Sequence, residues 1–184
     1  MDEFNALQPI GSIYENSFLK EKNAAKNDSK RLVDLICYCL NPNHYHFLLE
    51  QTEDFGIEKF MHRLGVGYTK YFNNKHKRTG SLFQGNFKAV HVDSNEYLLH
   101  LSVYINLNYK VHNLELGNLV SKLGVPKSSW GEYIGSNSEN LCKKEIILEQ
   151  FKALKEYEEF SHSSLEGIIE RRNEDTAMNA IFIE

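Results

Sequence analysis

Apolar and polar positions along the chain fall into segments of clearly different period. From Leu32 to Leu40 the run Leu-Val-Asp-Leu-Ile-Cys-Tyr-Cys-Leu is almost continuously apolar, as expected of a buried strand. The turn signal Asn41-Pro42-Asn43 follows, and His44–Glu50 is again rich in aromatic and aliphatic residues, so the two segments predict an antiparallel hairpin. Between Ile57 and Asn73 the period changes. Ile57, Phe60, Met61, Leu64, Tyr68, Tyr71 and Phe72 step by three and four, which marks a helix with one buried stripe. Gly65 and Gly67 each weaken such a helix by about 1 kcal/mol relative to Ala, and predict a close approach to its backbone. Asn73–Gly80 reads as a polar, basic loop, and Leu82–Val92 as a strand with a bulge at Gly85.

The second half is more helical. Asp93-Ser94 offers an N-cap and Glu96 sits in the favourable first turn of a helix running to about Asn108. Tyr97, Leu101, Tyr104 and Asn108 share one of its faces. A connector with Gly117, Gly124 and Pro126 leads to Lys127–Gly135. A helix over about Glu145–Phe160, with the stripe Ile147, Phe151, Leu154, a shorter one near Leu165–Arg171 and a polar tail complete the chain. Met1–Asn27 is irregular, and no internal repeat is present. The order strand, strand, helix, strand, helix predicts an α+β fold, an antiparallel sheet with helices on one face. Residues 1–135 are expected to form one domain, and residues 136–184 a C-terminal helical extension.

Charge changes the picture locally. The net charge is −4, yet Lys59–Val92 contains seven Lys or Arg (Lys59, Arg63, Lys70, Lys75, Lys77, Arg78, Lys88) and no Asp or Glu. Such a zone is either a solvated helix face with a basic loop or an electrostatic footprint for phosphates. The three cysteines, Cys37, Cys39 and Cys142, are odd in number and form no Cys-x-x-Cys pair. They read as reduced thiols of a cytoplasmic protein, with Cys37 and Cys39 on one strand face. No apolar run is long enough to span a bilayer, so no membrane partner is expected.

Candidate chemistry begins at Asn41–Glu50. Side chains alternate across a strand, so His44 and His46 share a face, roughly 7 Å apart at their Cα atoms. Two imidazoles so placed are either ordinary strand histidines or a pair converging on a metal ion. Tyr104 and Asn108, four apart on a helix, project together. A phenol and an amide oxygen there are either part of a core stripe or the second half of a site.

Five blocks carry a resemblance that bears on this choice. In order they are Asn41-Pro-Asn-His-Tyr-His-Phe-Leu-Leu49, Tyr68-Thr-Lys-Tyr-Phe-Asn73, Arg78-Thr-Gly-Ser-Leu-Phe-Gln-Gly-Asn-Phe-Lys88, Tyr97-Leu-Leu-His-Leu-Ser-Val-Tyr-Ile-Asn-Leu-Asn108 and Lys127-Ser-Ser-Trp-Gly-Glu-Tyr-Ile-Gly135. Together they resemble the HUH transposases with a single catalytic tyrosine, the insertion-sequence type and the REP-associated tyrosine transposases. The resemblance implies a ferredoxin-like (RRM-like) sheet, with Tyr104 as nucleophile, His44, His46 and Asn108 as ligands of a divalent ion (Mg²⁺ or Mn²⁺), and nicking and rejoining of single-stranded DNA through a 5′-phosphotyrosine. It also implies a partner DNA with hairpin elements, for which Lys70, Lys75, Lys77, Arg78 and Lys88 are candidate contacts, and it admits a homodimer. Tyr71, Phe72 or Phe83 would then stack on unpaired bases.

The sequence departs from that pattern in three places. No strand with a Tyr-His-x-x-Asn-Arg-Gly-like segment precedes Leu32, so the sheet is expected to lack its first strand. Asn86 stands where the family commonly carries Arg, and Asn108-Tyr109 replaces the common Asn-Pro. These departures keep two other readings in view: a catalytically weak or domesticated DNA-hairpin-binding protein, and a hydrolase in which His44 and His46 activate water.

Overall fold

The computed structural model describes residues 2–7, 30–112, 126–137 and 140–181, with side chains to residue 174. Its chain divides into two units, Met1–Asp34 with Leu49–Val90, and Leu35–Leu48 with His91–Glu184. The three-stranded antiparallel sheet has the order β2-β1-β3, with β1 Val33–Leu40, β2 Tyr45–Gln51 and β3 Lys127–Ser128. The fold is α+β and consistent with the ferredoxin-like arrangement of HUH enzymes.

The first unit contains a short helix α1, Asp2–Asn5, and the long helix α2, Gly56–His76. Buried Asn5 ties α1 to the start of β1: its Oδ1 accepts from the Leu32 and Val33 amides at 3.1 and 2.9 Å, and its Nδ2 donates to the Val33 carbonyl at 2.8 Å. The close backbone approach predicted for α2 exists, but at Gly56. A Cβ there would lie 2.1 Å from the Leu32 carbonyl oxygen, whereas one on Gly65 meets nothing within 4 Å. The predicted stripe is buried only at its beginning. Phe60 and Met61 are buried, but Tyr68 and Tyr71 are 45 % and 51 % exposed, because packing reaches only the first turns. Lys77 ends α2 in the left-handed conformation (φ 50°), with its amide directed at the Asn73 and Asn74 carbonyls.

Leu82–Val92 is not the strand its composition predicts; no regular element lies between α2 and Asn95. Its apolar residues follow no period of two, Gly80 and Gly85 interrupt it, and Phe87 and Val90 are exposed. The place beside β1 is taken instead by β3, in the register Cys39↔Ser128 and Leu40↔Lys127. The expectation of an absent first strand falls largely on residues 8–29, outside the described residues, as does most of the 113–125 connector.

In the second unit β1 and β2 turn tightly around Pro42-Asn43, closed by the Asn41 amide donating to the His44 carbonyl at 2.9 Å. Helix α3, Asn95–Asn106, has Ser94 as its N-cap, the hydroxyl accepting from the Tyr97 amide. Leu107 (φ −111°, ψ 16°) breaks the helix, which resumes as α4, Asn108–Val111. Then come α5, Trp130–Tyr133, α6, Glu145–Leu148, and α7, Leu154–Ile181. The last two correct the expected boundaries. A break at residues 149–153 separates them, where Glu156 accepts from the Lys152 amide at 2.7 Å and so stabilises a new helix start; Leu165–Arg171 belongs to α7 rather than to a helix of its own.

The core of this unit contains Ile36, Cys37, Tyr38, Cys39, Val103, Ile105, Leu107, Tyr133, Ile147 and Tyr157. Cys37 and Cys39 do share a face, and all three thiols are free. Burial pushes Cys39 up to about 11 and Cys142 up to about 12, so both remain protonated at neutral pH.

A polar network runs through this core. Ser129 Oγ accepts from the Tyr38 amide at 2.8 Å and donates to Asn106 Oδ1 at 2.6 Å. Asn106 Nδ2 donates to the Tyr157 hydroxyl at 3.2 Å, which lies 3.2 Å from Ser102 Oγ. Ser102 itself donates to the Leu99 carbonyl, so Tyr157 is the donor to Ser102. Leaving such buried groups unmatched costs about 1–3 kcal/mol. Ser129→Ala is therefore expected to lower the unfolding free energy by about 2 kcal/mol, seen as a lower urea midpoint at unchanged slope.

Candidate active site

Two local elements of the second unit bring the candidate residues together. The tight turn at residues 41–44 sets His44 at the mouth of β2 and His46 within it. Their rings lie edge to face with centroids 5.1 Å apart. Helix α3 delivers Tyr104, whose ring meets His46 edge to face at 5.7 Å. Asn108 follows the Leu107 break and is fully buried. His44, His46, Tyr104 and Asn108 are thus neighbours. The strand and helix spacings predict each pair, and their meeting follows from the packing of the helix on the sheet.

Hydrogen bonds fix which lone pairs face inward. His44 Nδ1 lies 2.7 Å from Asn43 Oδ1, and His44 Nε2 lies 2.8 Å from Asn41 Nδ2. Both contacts are satisfied by one tautomer: Nδ1–H donates to Asn43, and Nε2 accepts from Asn41. The same Asn41 amide donates to Asn108 Oδ1 at 2.7 Å, so one NH₂ group bridges two lone-pair donors that lie 3.4 Å apart. Asn108 Nδ2 is buried and has no hydrogen-bond partner among the described residues.

A third imidazole joins the site. His112 packs edge to face on His44 with centroids 5.5 Å apart. Sequence reading missed it, although Tyr104, Asn108 and His112 recur at steps of four and so continue one helical face. His46 is held below the usual histidine range by burial first, then by His44 and His112. His112 is lowered by burial, then by the Arg172 guanidinium and His44. Neutral imidazoles are the metal-binding form. A cleft of about 370 Å³ opens beside Tyr104, lined also by Val111, His112, Ile168, Arg171 and Arg172.

Two imidazoles and an amide oxygen are a donor set of borderline softness that can take a divalent ion. Among the described residues no three His, Cys, Asp or Glu side chains form a metal cage, so an amide oxygen would have to contribute to any such site. His44 Nε2 and Asn108 Oδ1 at 3.4 Å have nearly the spacing of two ligands at about 2.1 Å from one ion at right angles, about 3 Å. The second-shell bond from Nδ1–H to Asn43 orients the His44 ring as metal-bound histidines require.

The predicted DNA contacts lie elsewhere in the chain. Lys70, Lys75, Lys77, Arg78 and Lys88 belong to the first unit, and all are exposed.

Residues 16–108, half of the chain, match the family model described as transposase, IS200-like. The chain belongs to the IS200-like transposase family. As a member it is a DNA-processing protein of transposition, in a family that is generally metal-dependent. No curated protein and no solved structure gives a significant match. The family match takes in His44, His46 and Tyr104 and ends at Asn108, so in this IS200-like transposase His112, β3 and the arginines of α7 lie beyond it. No helix among the described residues is long and apolar enough to cross a membrane.

Because the folded-state values of His46 and His112 lie below 6.5, the unfolded chain takes up protons first on acidification. Their contribution to stability is present above the unfolded value and is lost as pH falls through 6.5 towards the folded values. Urea unfolding at stepped pH is expected to show that decline, with a shallower slope for His112→Gln.

Proposed function

We propose that this IS200-like transposase nicks and rejoins single-stranded DNA at hairpin elements through a covalent Tyr104 intermediate. The observation that supports this best is the convergence of Tyr104, His46, the inward Nε2 of His44 and Oδ1 of Asn108 at one place. His44, His46 and Asn108 would hold the divalent ion, Mg²⁺ or Mn²⁺. Bound there, such an ion polarises the scissile phosphate and offsets developing negative charge.

Tyr104 performs the group transfer. Its Oη attacks phosphorus and forms the P–O bond of a 5′-phosphotyrosine, while the bond to the 3′-oxygen breaks. That oxygen keeps the electron pair and leaves as a 3′-hydroxyl after taking a proton, and the phenolic proton is lost to solvent. In the second step an incoming 3′-hydroxyl attacks the same phosphorus and returns the phenol. The phosphodiester is conserved in the covalent link, so rejoining needs no nucleotide cofactor.

Single-stranded substrate fits the surface of the first unit. Tyr68 packs within 6.4 Å of Tyr71, Phe72 and Phe83. Lys75 stands over Tyr71 and Arg78 over Phe72, each 5.7 Å from the ring centroid. Exposed aromatic faces rimmed by cations are a stacking platform for unpaired bases, with Lys70, Lys77 and Lys88 tracking phosphates.

Incubation with hairpin-flanked single-stranded DNA and Mn²⁺ is expected to leave a protein–DNA adduct on denaturing gels. Tyr104→Phe should abolish the adduct while hairpin affinity stays within about threefold; an undiminished adduct removes Tyr104 as nucleophile. Hairpin binding with no adduct from the wild-type chain favours the DNA-binding derivative instead.

The Asn41 bridge gives a second expectation. Mn²⁺ has to displace its hydrogen bonds, each worth about 1 kcal/mol net. In calorimetric titration Asn41→Ala should therefore bind Mn²⁺ about tenfold more tightly, and His46→Ala should lose binding.

A further inference from the structure

We propose that Arg171 and Arg172 of α7 form a seat for the phosphate attacked by Tyr104, so that a helix beyond the family-matched stretch completes the active site. This rests on the reading of Tyr104 as nucleophile. Ile168, Arg171 and Arg172 stand at i, i+3 and i+4, one face of α7. That face lines the cleft whose opposite members are Tyr104, Val111 and His112. The helix is anchored by buried Tyr157 and Leu165, with Ile168 and Ile169 packed against the same core. Both guanidinium groups are tethered. Arg171 Nε donates to the Gly167 carbonyl at 3.0 Å, and Arg172 Nη1 donates to the Val111 carbonyl at the end of α4.

The chemistry of the cleft points to an anion. Its lining, as far as the described residues form it, carries two permanent cations and an imidazole over an apolar floor of Val111 and Ile168. Guanidinium groups recognise phosphate oxygens with a planar fork of donors. Attack by a phenol on a phosphodiester gathers negative charge on the non-bridging oxygens, and tethered donors beside the nucleophile stabilise that charge. Arg171 and Arg172 are exposed, so an incoming phosphate can reach both. The Arg172–Val111 bond also supports α4, so a purely structural role is the competing account.

The test uses the full chain in two measurements. In adduct formation with hairpin-flanked DNA and Mn²⁺, Arg171→Ala and the Arg171→Ala/Arg172→Ala double variant are expected to slow the covalent step about a hundredfold, with hairpin affinity changed less than about threefold. Added guanidinium ion should recover part of the rate in Arg171→Ala and none in Tyr104→Phe, a rescue that a structural role would not give. Independently of catalysis, titration with inorganic phosphate should shift the His112 imidazole resonances saturably in the wild type and not in the double variant. Adduct rates within twofold of wild type in both variants, or a wild type without a saturable phosphate response, overturn the inference. Phosphate binding by a wild type that forms no adduct keeps the seat and overturns the nucleophile instead.

Discussion

The second unit depends on one buried amide. Asn106 is fully inaccessible, with its oxygen held by Ser129 and its nitrogen by the Tyr157 hydroxyl. Through Ser129 it is tied to the backbone of β1 at Tyr38, and through Tyr157 to α7. An amide matched at both ends in a dry core cannot rotate without orphaning several groups. It therefore fixes the rotation of α3 about its own axis. Tyr104 and Asn108 flank Asn106 by two residues on either side, roughly half a turn away around a helix. Locking Asn106 into the core turns these two toward His46 and His44. Tyr104 is thus aimed by a residue on the far side of its own helix.

The opposing half of the site is held more locally. The turn around Pro42-Asn43 gives His44 its position, and the Asn43 side chain gives it a tautomer. Asn41 then links that turn to Asn108 across 67 residues of sequence. Its amide hydrogens stand between the two lone pairs a cation would use. In this state the turn and the tyrosine helix hold each other through a donor, and metal would replace that donor with a stronger common partner. The Leu107 break serves the same arrangement, because Asn108 opens α4 rather than simply continuing the regular turns of α3.

Much of this was legible in the sequence where signals are local. Alternation along His44–Glu50, the Asn-Pro-Asn turn, the Ser94 cap and the four-residue step from Tyr104 to Asn108 each reflect short-range geometry, and the structure keeps all of them. The signals that failed depend on distant partners. Leu82–Val92 has strand-like composition, but the place beside β1 went to two residues of the Lys127 block, whose Lys-Ser-Ser carries no strand propensity. Their pairing is imposed from outside, by Ser129 bonding to Tyr38 in both directions. Tyr68 and Tyr71 looked like core because a helical stripe records only period, and period does not say where the partner surface stops. His112 could have been found, since it lies one more step of four beyond Asn108.

The charges around Tyr104 follow from the same packing. His46 is lowered by burial, then by His44 and His112, and His112 is lowered by burial, then by Arg172 and His44. A histidine that takes up a proton less readily keeps its lone pair, and that is the form able to bind a cation. The permanent positive charge of the cleft is thereby left to the guanidinium groups, which cannot be deprotonated. On the proposed reading, metal binding and anion binding fall to different side chains of one site. A carboxylate beside His112 would work against this, because it would raise the imidazole pKa and favour the protonated ring.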